Sequence, residues 1–384
     1  MDTQNTPIHF RLWHKNFLHI ALANLLLTMS MYMLLLVLPV HLLHHGYPKI
    51  FVTLCFIAYA VGIYLPGGFL SGLIQRHWRS HVCIVAILAQ TAILGYYYLM
   101  GSHYHLLTLL AGMGVGCCYG LAQMTMTSTL VIDTCESFLR TEANHASSWF
   151  GRLALSVGPF LGFWIYAHLG FKEMILASSV CSLLSVLLVM SIKFPFKAPE
   201  DFRHWFGLDR FFLVHGTPLY LNLILITLTM GLIISTQLSN YFFMVMIAGF
   251  LVAILAEKYV FANAELKSET TVGSLLIGFA ILLLLLRYEN ASQALAAMFS
   301  GFGIGIIGSR FLLFFIKLAC HCERGTSQST FFLGWETGLA LGLALGYLLG
   351  NSDWVLLAAL AVLGIAFLLY NFAIHPWYMQ NKSR

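Results

Sequence analysis

The sequence predicts an all-α membrane protein, with twelve transmembrane helices arranged as two pseudo-symmetric six-helix bundles. Three observations carry that prediction. Of 384 residues, 59% are hydrophobic and only 9% charged, whereas soluble domains carry about 25% charged residues. Apolar runs of the roughly 20 residues that one helix needs to cross a bilayer recur along the whole chain. Two local patterns also return six runs apart. The net charge of +5 does not point to nucleic acid, because the basic residues sit in short loops between apolar runs, where they set topology.

In chain order, the polar stretch MDTQNTPIHFRLWHKNF leads into a first span at 17–42. That run is too long for the apolar core of a signal peptide and no small-residue cleavage site follows it, so the helix is expected to remain as an anchor. Further spans are expected at 50–74, 81–101, 105–131, 146–168 and 172–192. The most polar stretch, SIKFPFKAPEDFRHWFGLDRF, reads as a cytoplasmic connection over 193–212 between a first bundle (1–192) and a second (213–384). The second should hold spans at 213–236, 239–256, 270–286, 293–317, 329–350 and 353–374. An even number of spans puts both termini on one side. With that side cytoplasmic, fifteen of the 20 Lys and Arg residues face inward, Lys197 and Arg203 among them, and three (Lys49, Lys172, Arg287) face outward. That bias predicts cytoplasmic termini in a cytoplasmic (inner) membrane.

The repeats support a duplicated unit. GFLSGLIQRHW (Gly68 to Trp78) closes span 2, and GFLVAILAEKY (Gly249 to Tyr259) closes span 8. RTEAN…W…LAL enters span 5 from Arg140, and RGTSQ…W…LAL enters span 11 from Arg324. Asn144 then pairs with Gln328, and Trp149 with Trp335 once a gap of two residues is allowed. Parallel repeats with a binding site between the halves are a recurring transporter design.

Six spans plus six, a charged central loop and a basic loop after span 2 resemble the major facilitator superfamily over the whole chain. That family's loop usually reads Gly-x-Leu-x-Asp-Arg-x-Gly-Arg. Here SGLIQRHWR keeps Leu73, Arg76 and Arg79, while Gln75 stands where the Asp belongs. A neutral Gln cannot make the charge-assisted contact of a carboxylate. ALSVGPFLG (Ala154 to Gly162) resembles the family's span-5 antiporter motif, with Gly158 and Pro159 in place. The resemblance implies alternating access, a gate at Arg76, Gln75 and Arg79, and a tilt toward proton-coupled export. Arg140, Glu142 and Arg324, in the turns before spans 5 and 11, are expected to pair with other cytoplasmic loops and hold a closed state.

Charges inside spans cost about 2.5–3.5 kcal/mol each on insertion scales and usually face a cavity or a partner. Arg152, Arg310 and Glu336 are such charges, and Glu336 is expected to be the sole deep carboxylate. A carboxyl group there can couple to protons or touch substrate; the competing account is an ion pair with Arg152 or Arg310. The arginines stay charged and would anchor an anionic group, and their sum of +1 with Glu336 leaves one without an obvious acid. Asn24 with Thr28, Gln123 with Thr127, and Asn222 with Thr227 add polarity on spans 1, 4 and 7, which line the cavity in the family resembled. Interhelical hydrogen bonds worth roughly 0.6 kcal/mol each are the favoured account of any single one of them.

Gly338, Gly342, Gly346 and Gly350, Gly112, Gly116 and Gly120, and Gly301 with Gly305 recur every four residues and predict close helix packing. No phosphate loop fits them, since no strand precedes and no Lys-Ser or Lys-Thr follows. The eight cysteines, Cys320-x-Cys322 included, show no metal or disulfide spacing, and Trp78 and Trp205 read as interface anchors. No metal or cofactor is implied. The expected partners are a small-molecule substrate, protons and membrane lipids, with no nucleic acid, and the chain is expected to act as a monomer. The reading is a secondary transporter exporting a small amphiphilic or anionic compound against protons. Proton-coupled uptake of a polar or anionic solute is the alternative, and a polytopic membrane enzyme a more distant one.

Overall fold

A backbone N–H or C=O left unpaired in hydrocarbon costs several kcal/mol, so apolar runs this long satisfy themselves as helices. The computed structural model describes residues 11–99, 105–194, 206–236, 238–261, 265–286, 289–320 and 323–382. The expectations for the first ten residues and for Lys197, Arg203, Trp205, Arg287 and Cys322 lie outside the described residues. Among those described, twelve helices are long and apolar enough to cross a bilayer. They are α1 (Lys15–His44), α2 (Lys49–Arg76), α3 (Arg79–Leu99), α4 (His105–Asp133), α5 (Ser137–His168) and α6 (Phe171–Met190), then α7 (Val214–Ser235), α8 (Asn240–Tyr259), α9 (Lys267–Leu286), α10 (Ala291–Leu318), α11 (Arg324–Leu349) and α12 (Ser352–Asn381). The chain is an integral membrane protein.

Packing repeats with a period of six helices. In the first half α1 packs on α5 and α6, α2 on α4, and α3 on α4 and α6. In the second half α7 packs on α11 and α12, α8 on α10, and α9 on α10 and α12. Contacts between the halves repeat likewise: α2 meets α11 as α8 meets α5, and α5 meets α10 as α11 meets α4. The site therefore lies along one interface between two like bundles.

Several helices extend further than their apolar runs. α5 is helical from Arg140, so RTEAN is the opening turn of a helix, not a loop. α11 is helical from Arg324, α8 continues through Glu257 to Tyr259, and α9 already encloses Glu269. These helices run past their apolar stretches, and the polar turns continue the same backbone ladder. The glycine faces divide as well. Gly338, Gly342 and Gly346 meet α7, Gly116 and Gly120 meet α2, and Gly301 and Gly305 meet α8. Gly350 instead closes α11 in the left-handed conformation, φ 65°, beside Lys49, the usual way a glycine ends a helix.

Candidate functional site

Glu336 sits halfway along α11 and is 2% exposed. Tyr32 of α1 donates to its Oε1 at 2.6 Å, and Tyr59 of α2 donates to its Oε2 at 3.0 Å. Trp335 Nε1 donates in turn to the Tyr32 hydroxyl at 3.2 Å. Both carboxylate oxygens of the second half are thus held by hydroxyls of the first. A buried charge is tolerable only when so supported.

Arg152 of α5 lines the same cavity and is 3% exposed. Its Nε donates to Ser148 O at 3.2 Å and its Nη1 to Gly305 O at 3.0 Å, while its guanidinium lies 4.2 Å from the Trp149 ring centre. Nη2 is buried without a partner. Among the described residues no carboxylate lies within ion-pair distance of Arg152. Gly308 of α10 makes the room: a Cβ there would stand 2.7 Å from Arg152 Cδ. Arg152 stands twelve residues beyond Arg140 and Glu336 twelve beyond Arg324, although the two-residue gap that aligns Trp149 with Trp335 sets Arg152 opposite Gly338. A fixed cation and a titratable acid thus line one cavity from different halves.

Between them lies a cavity of about 50 Å³ lined from α1, α4, α5 and α11. Gln123 Nε2 donates to Asn24 Oδ1 at 2.9 Å and to Thr28 Oγ1 at 2.7 Å, and Asn24 Nδ2 donates to Ser147 O at 3.0 Å. This volume admits a few waters, each needing about 10–15 Å³, and falls short of the roughly 300 Å³ of an ordinary ligand pocket.

The bundles touch on either side of the cavity. Toward the face where α1 begins and α12 ends, here the terminal face, His145 of α5 meets Glu257 of α8 at 2.9 Å and Ser309 of α10 at 2.5 Å. Trp149 donates to Glu257 at 3.1 Å. Tyr64 of α2 contacts Tyr220 of α7 and meets Thr337 of α11 at 2.6 Å. Toward the opposite face, Thr53 donates to Ala344 O at 3.2 Å, and the ring pairs Phe56–Tyr347 and Phe163–Phe243 span the interface. Contacts between the bundles therefore flank the cavity on both sides.

Other expected residues fall elsewhere. Arg310 does not reach the cavity: its Nε donates to Glu269 Oε2 at 2.8 Å, and Nη2 contacts Oε1. Glu269 is 0% exposed, so Glu336 is not the sole buried carboxylate, and the arginine left without an acid is Arg152. The helix of Glu269 begins earlier than hydropathy placed it. Asn222 Nδ2 donates to Ala366 O of α12 at 2.9 Å, away from the cavity. Gly158 and Pro159 lie on the α1–α5 seam, where a Cβ on Gly158 would stand 3.1 Å from Met29 O. At the terminal face Arg79 pairs with Asp133 at 2.7 Å, Gln75 donates to Ser71 in its own helix at 3.2 Å, and Arg76 is exposed. Glu142 is exposed, and neither it nor Arg140 or Arg324 has an ion-pair partner among the described residues. The opening turn of α11 meets the connection before α7 by a hydrogen bond instead, with the Arg210 N–H donating to Thr326 Oγ1 at 2.9 Å.

Sequence reasoning missed Tyr32 and Tyr59, and also Tyr119 of α4, which lines the cavity. A signal for two of them was present: Asn24, Thr28 and Tyr32 recur every four residues, as do Tyr119, Gln123 and Thr127, which puts each set on one helical stripe.

No protein-family description matches the sequence, and no curated protein matches it. The fold does match solved structures. The human organic anion transporter MFSD10 (TETRAN) aligns at a TM-score of 0.69 and 15% identity, covering 92% of this chain and 98% of that one. The nucleoside transporter NupG aligns at 0.67 and 12%, covering 93% and 99%. An auto-inhibited POT family peptide transporter aligns at 0.70 and 11%, covering 97% and 98%. The chain has the major facilitator fold.

Proposed function

We propose that this protein is a secondary active transporter working by alternating access, with both termini cytoplasmic, that exports a small amphiphilic or anionic compound in exchange for protons. The bundles would be 1–192 and 213–384, joined by 193–212. The observation that carries the proposal is the pairing of roles in one cavity between the bundles. Glu336 can take up and release a proton, whereas Arg152 stays charged. The two are not ion-paired, so each is available to a different ligand.

The donors to Glu336 come from one bundle and the acceptor from the other. Protonation changes an acceptor into a group that is itself a donor, and it does so at a contact that must break when the bundles rock apart. An anionic cargo is favoured by the unpartnered, buried Nη2 of Arg152. Cargo needs more than 50 Å³, so binding requires one face to open, as alternating access demands.

The test is flux in oriented proteoliposomes with an imposed pH gradient. Glu336→Gln should abolish pH-driven flux and leave cargo exchange and the unfolding temperature near wild type. Unchanged proton dependence would remove Glu336 from coupling. The direction of flux in the same vesicles decides between export and uptake.

A further inference from the structure

A second cavity, of about 270 Å³, lies between the bundles at the terminal face. Arg79, Arg140, Arg210 and Arg324 line it against one carboxylate, Asp133, which Arg79 already engages at 2.7 Å. Four guanidinium groups against one carboxylate leave three positive charges facing one space. Asp209, a second acid beside Arg210, is 57% exposed and stands 3.9 Å from it, so it compensates weakly. Like charges gathered in a partly enclosed space repel, and a fold keeps them only when something offsets the cost.

The cavity is also rich in unfilled hydrogen-bonding capacity. The Nε atoms of Arg79 and Arg140, Ser128 Oγ and Asn144 Oδ1 are buried without partners, and Ser128 is 1% exposed. α5 and α11 both begin here, and neither has a side-chain cap on its first turn. Uncapped N–H groups and the helix dipole favour a bound anion. Arg210 is held with φ 58°, a left-handed backbone that a residue with a side chain adopts at a cost. Its N–H donates to Thr326 Oγ1 at 2.9 Å, tying that conformation to α11. Burial, then the neighbouring Arg79, push the Arg210 guanidinium below its ordinary range.

We propose that this vestibule is an oxyanion site for a soluble phosphate-type anion, which bridges the two bundles at the terminal face and stabilises their closed arrangement. Arg140 and Arg324, equivalent in the repeat, would grip it from opposite halves, since forked guanidinium donors match phosphate oxygens. Arg79 and Asp133 would fix one wall. The site is separate from the Glu336 cavity and does not rest on the transport reading.

The test is thermal unfolding of the full chain in detergent with inorganic pyrophosphate, against sodium chloride at equal ionic strength. Pyrophosphate at millimolar concentration should raise the unfolding temperature by on the order of 3 °C or more, with chloride giving no comparable rise. Arg140→Gln and Arg324→Gln should each lose that rise, yet without the anion unfold no lower than wild type, because repulsion is relieved. Arg324→Lys should retain part of it. Equal shifts from chloride, no shift from pyrophosphate, or an undiminished shift in both Gln variants would overturn the proposal. So would stabilisation by phosphatidylglycerol in nanodiscs with none from free pyrophosphate, which would assign the charge to a lipid headgroup. Because the readout is equilibrium binding, its failure leaves proton coupling at Glu336 untouched.

Discussion

Tyr32 and Glu336, 304 residues apart in sequence, share a 2.6 Å hydrogen bond that crosses from the first helix of one bundle to the fifth of the other. With Tyr59 it makes one buried carboxylate a point where both halves meet.

Tyr32→Phe should therefore do more than loosen local packing. Losing a donor to a potentially charged acceptor removes about 1.5–3 kcal/mol. Thermal unfolding should fall accordingly, and pH-driven flux should fall with it. Tyr59→Phe should act in the same direction with a smaller effect, because its contact is longer. Wild-type flux in both variants would separate these hydroxyls from the coupling step.

The Arg310–Glu269 pair predicts an asymmetry between single and double variants. Glu269→Ala leaves a buried guanidinium unpaired and should cost about 3–5 kcal/mol. Replacing both members by apolar residues, Glu269→Leu with Arg310→Met, should recover most of that loss. Denaturant titration in detergent reads both. Equal losses from the single and the double variant would show that the pair does more than neutralise itself.

Gly342 makes the closest approach to backbone among the glycines of the α7–α11 seam. A Cβ there would stand 2.2 Å from Leu228 O and 2.8 Å from Gly231 Cα. Gly342→Ala must push the helices apart and should cost about 1–3 kcal/mol. Gly364, with nothing within 4 Å of its Cβ position, should accept Ala without loss. Unfolding temperatures of the two variants make the comparison.

His145 joins α5 to α8 and α10 through Glu257 and Ser309. His145→Ala should weaken closure of the terminal face, seen as faster amide exchange in the first turns of α5 by mass spectrometry. Amides near Phe163, on the opposite side of the interface, should be unchanged. Equal acceleration at both places would indicate general destabilisation, not a released latch.

Much of the fold was legible because hydrocarbon admits few alternatives: a chain with so many long apolar runs must form helices and bury its few charges. Arg152 and Glu336 stood out for that reason, and both face the cavity. Glu269 and Glu257 did not. Each lies where an apolar run ends, and only the helix continuing past that end carries them inward. Asn222 looked like a cavity residue by its span, yet its side chain turns to α12. Tyr32 and Tyr59 were hidden by chemistry, since a tyrosine in a span counts as apolar until its hydroxyl has a partner.

What the sequence alone determined is the set of helices, their duplication and the commitment of Arg152, Arg310 and Glu336 to the protein interior, because the cost of exposing polar groups to lipid acts on each segment separately. Only the tertiary structure decided which ions meet. Glu336 found two tyrosines and no arginine, Arg310 found Glu269, and four arginines converged where the bundles close. Those outcomes depend on helix rotation and on contacts between residues far apart in the chain, which no local pattern encodes.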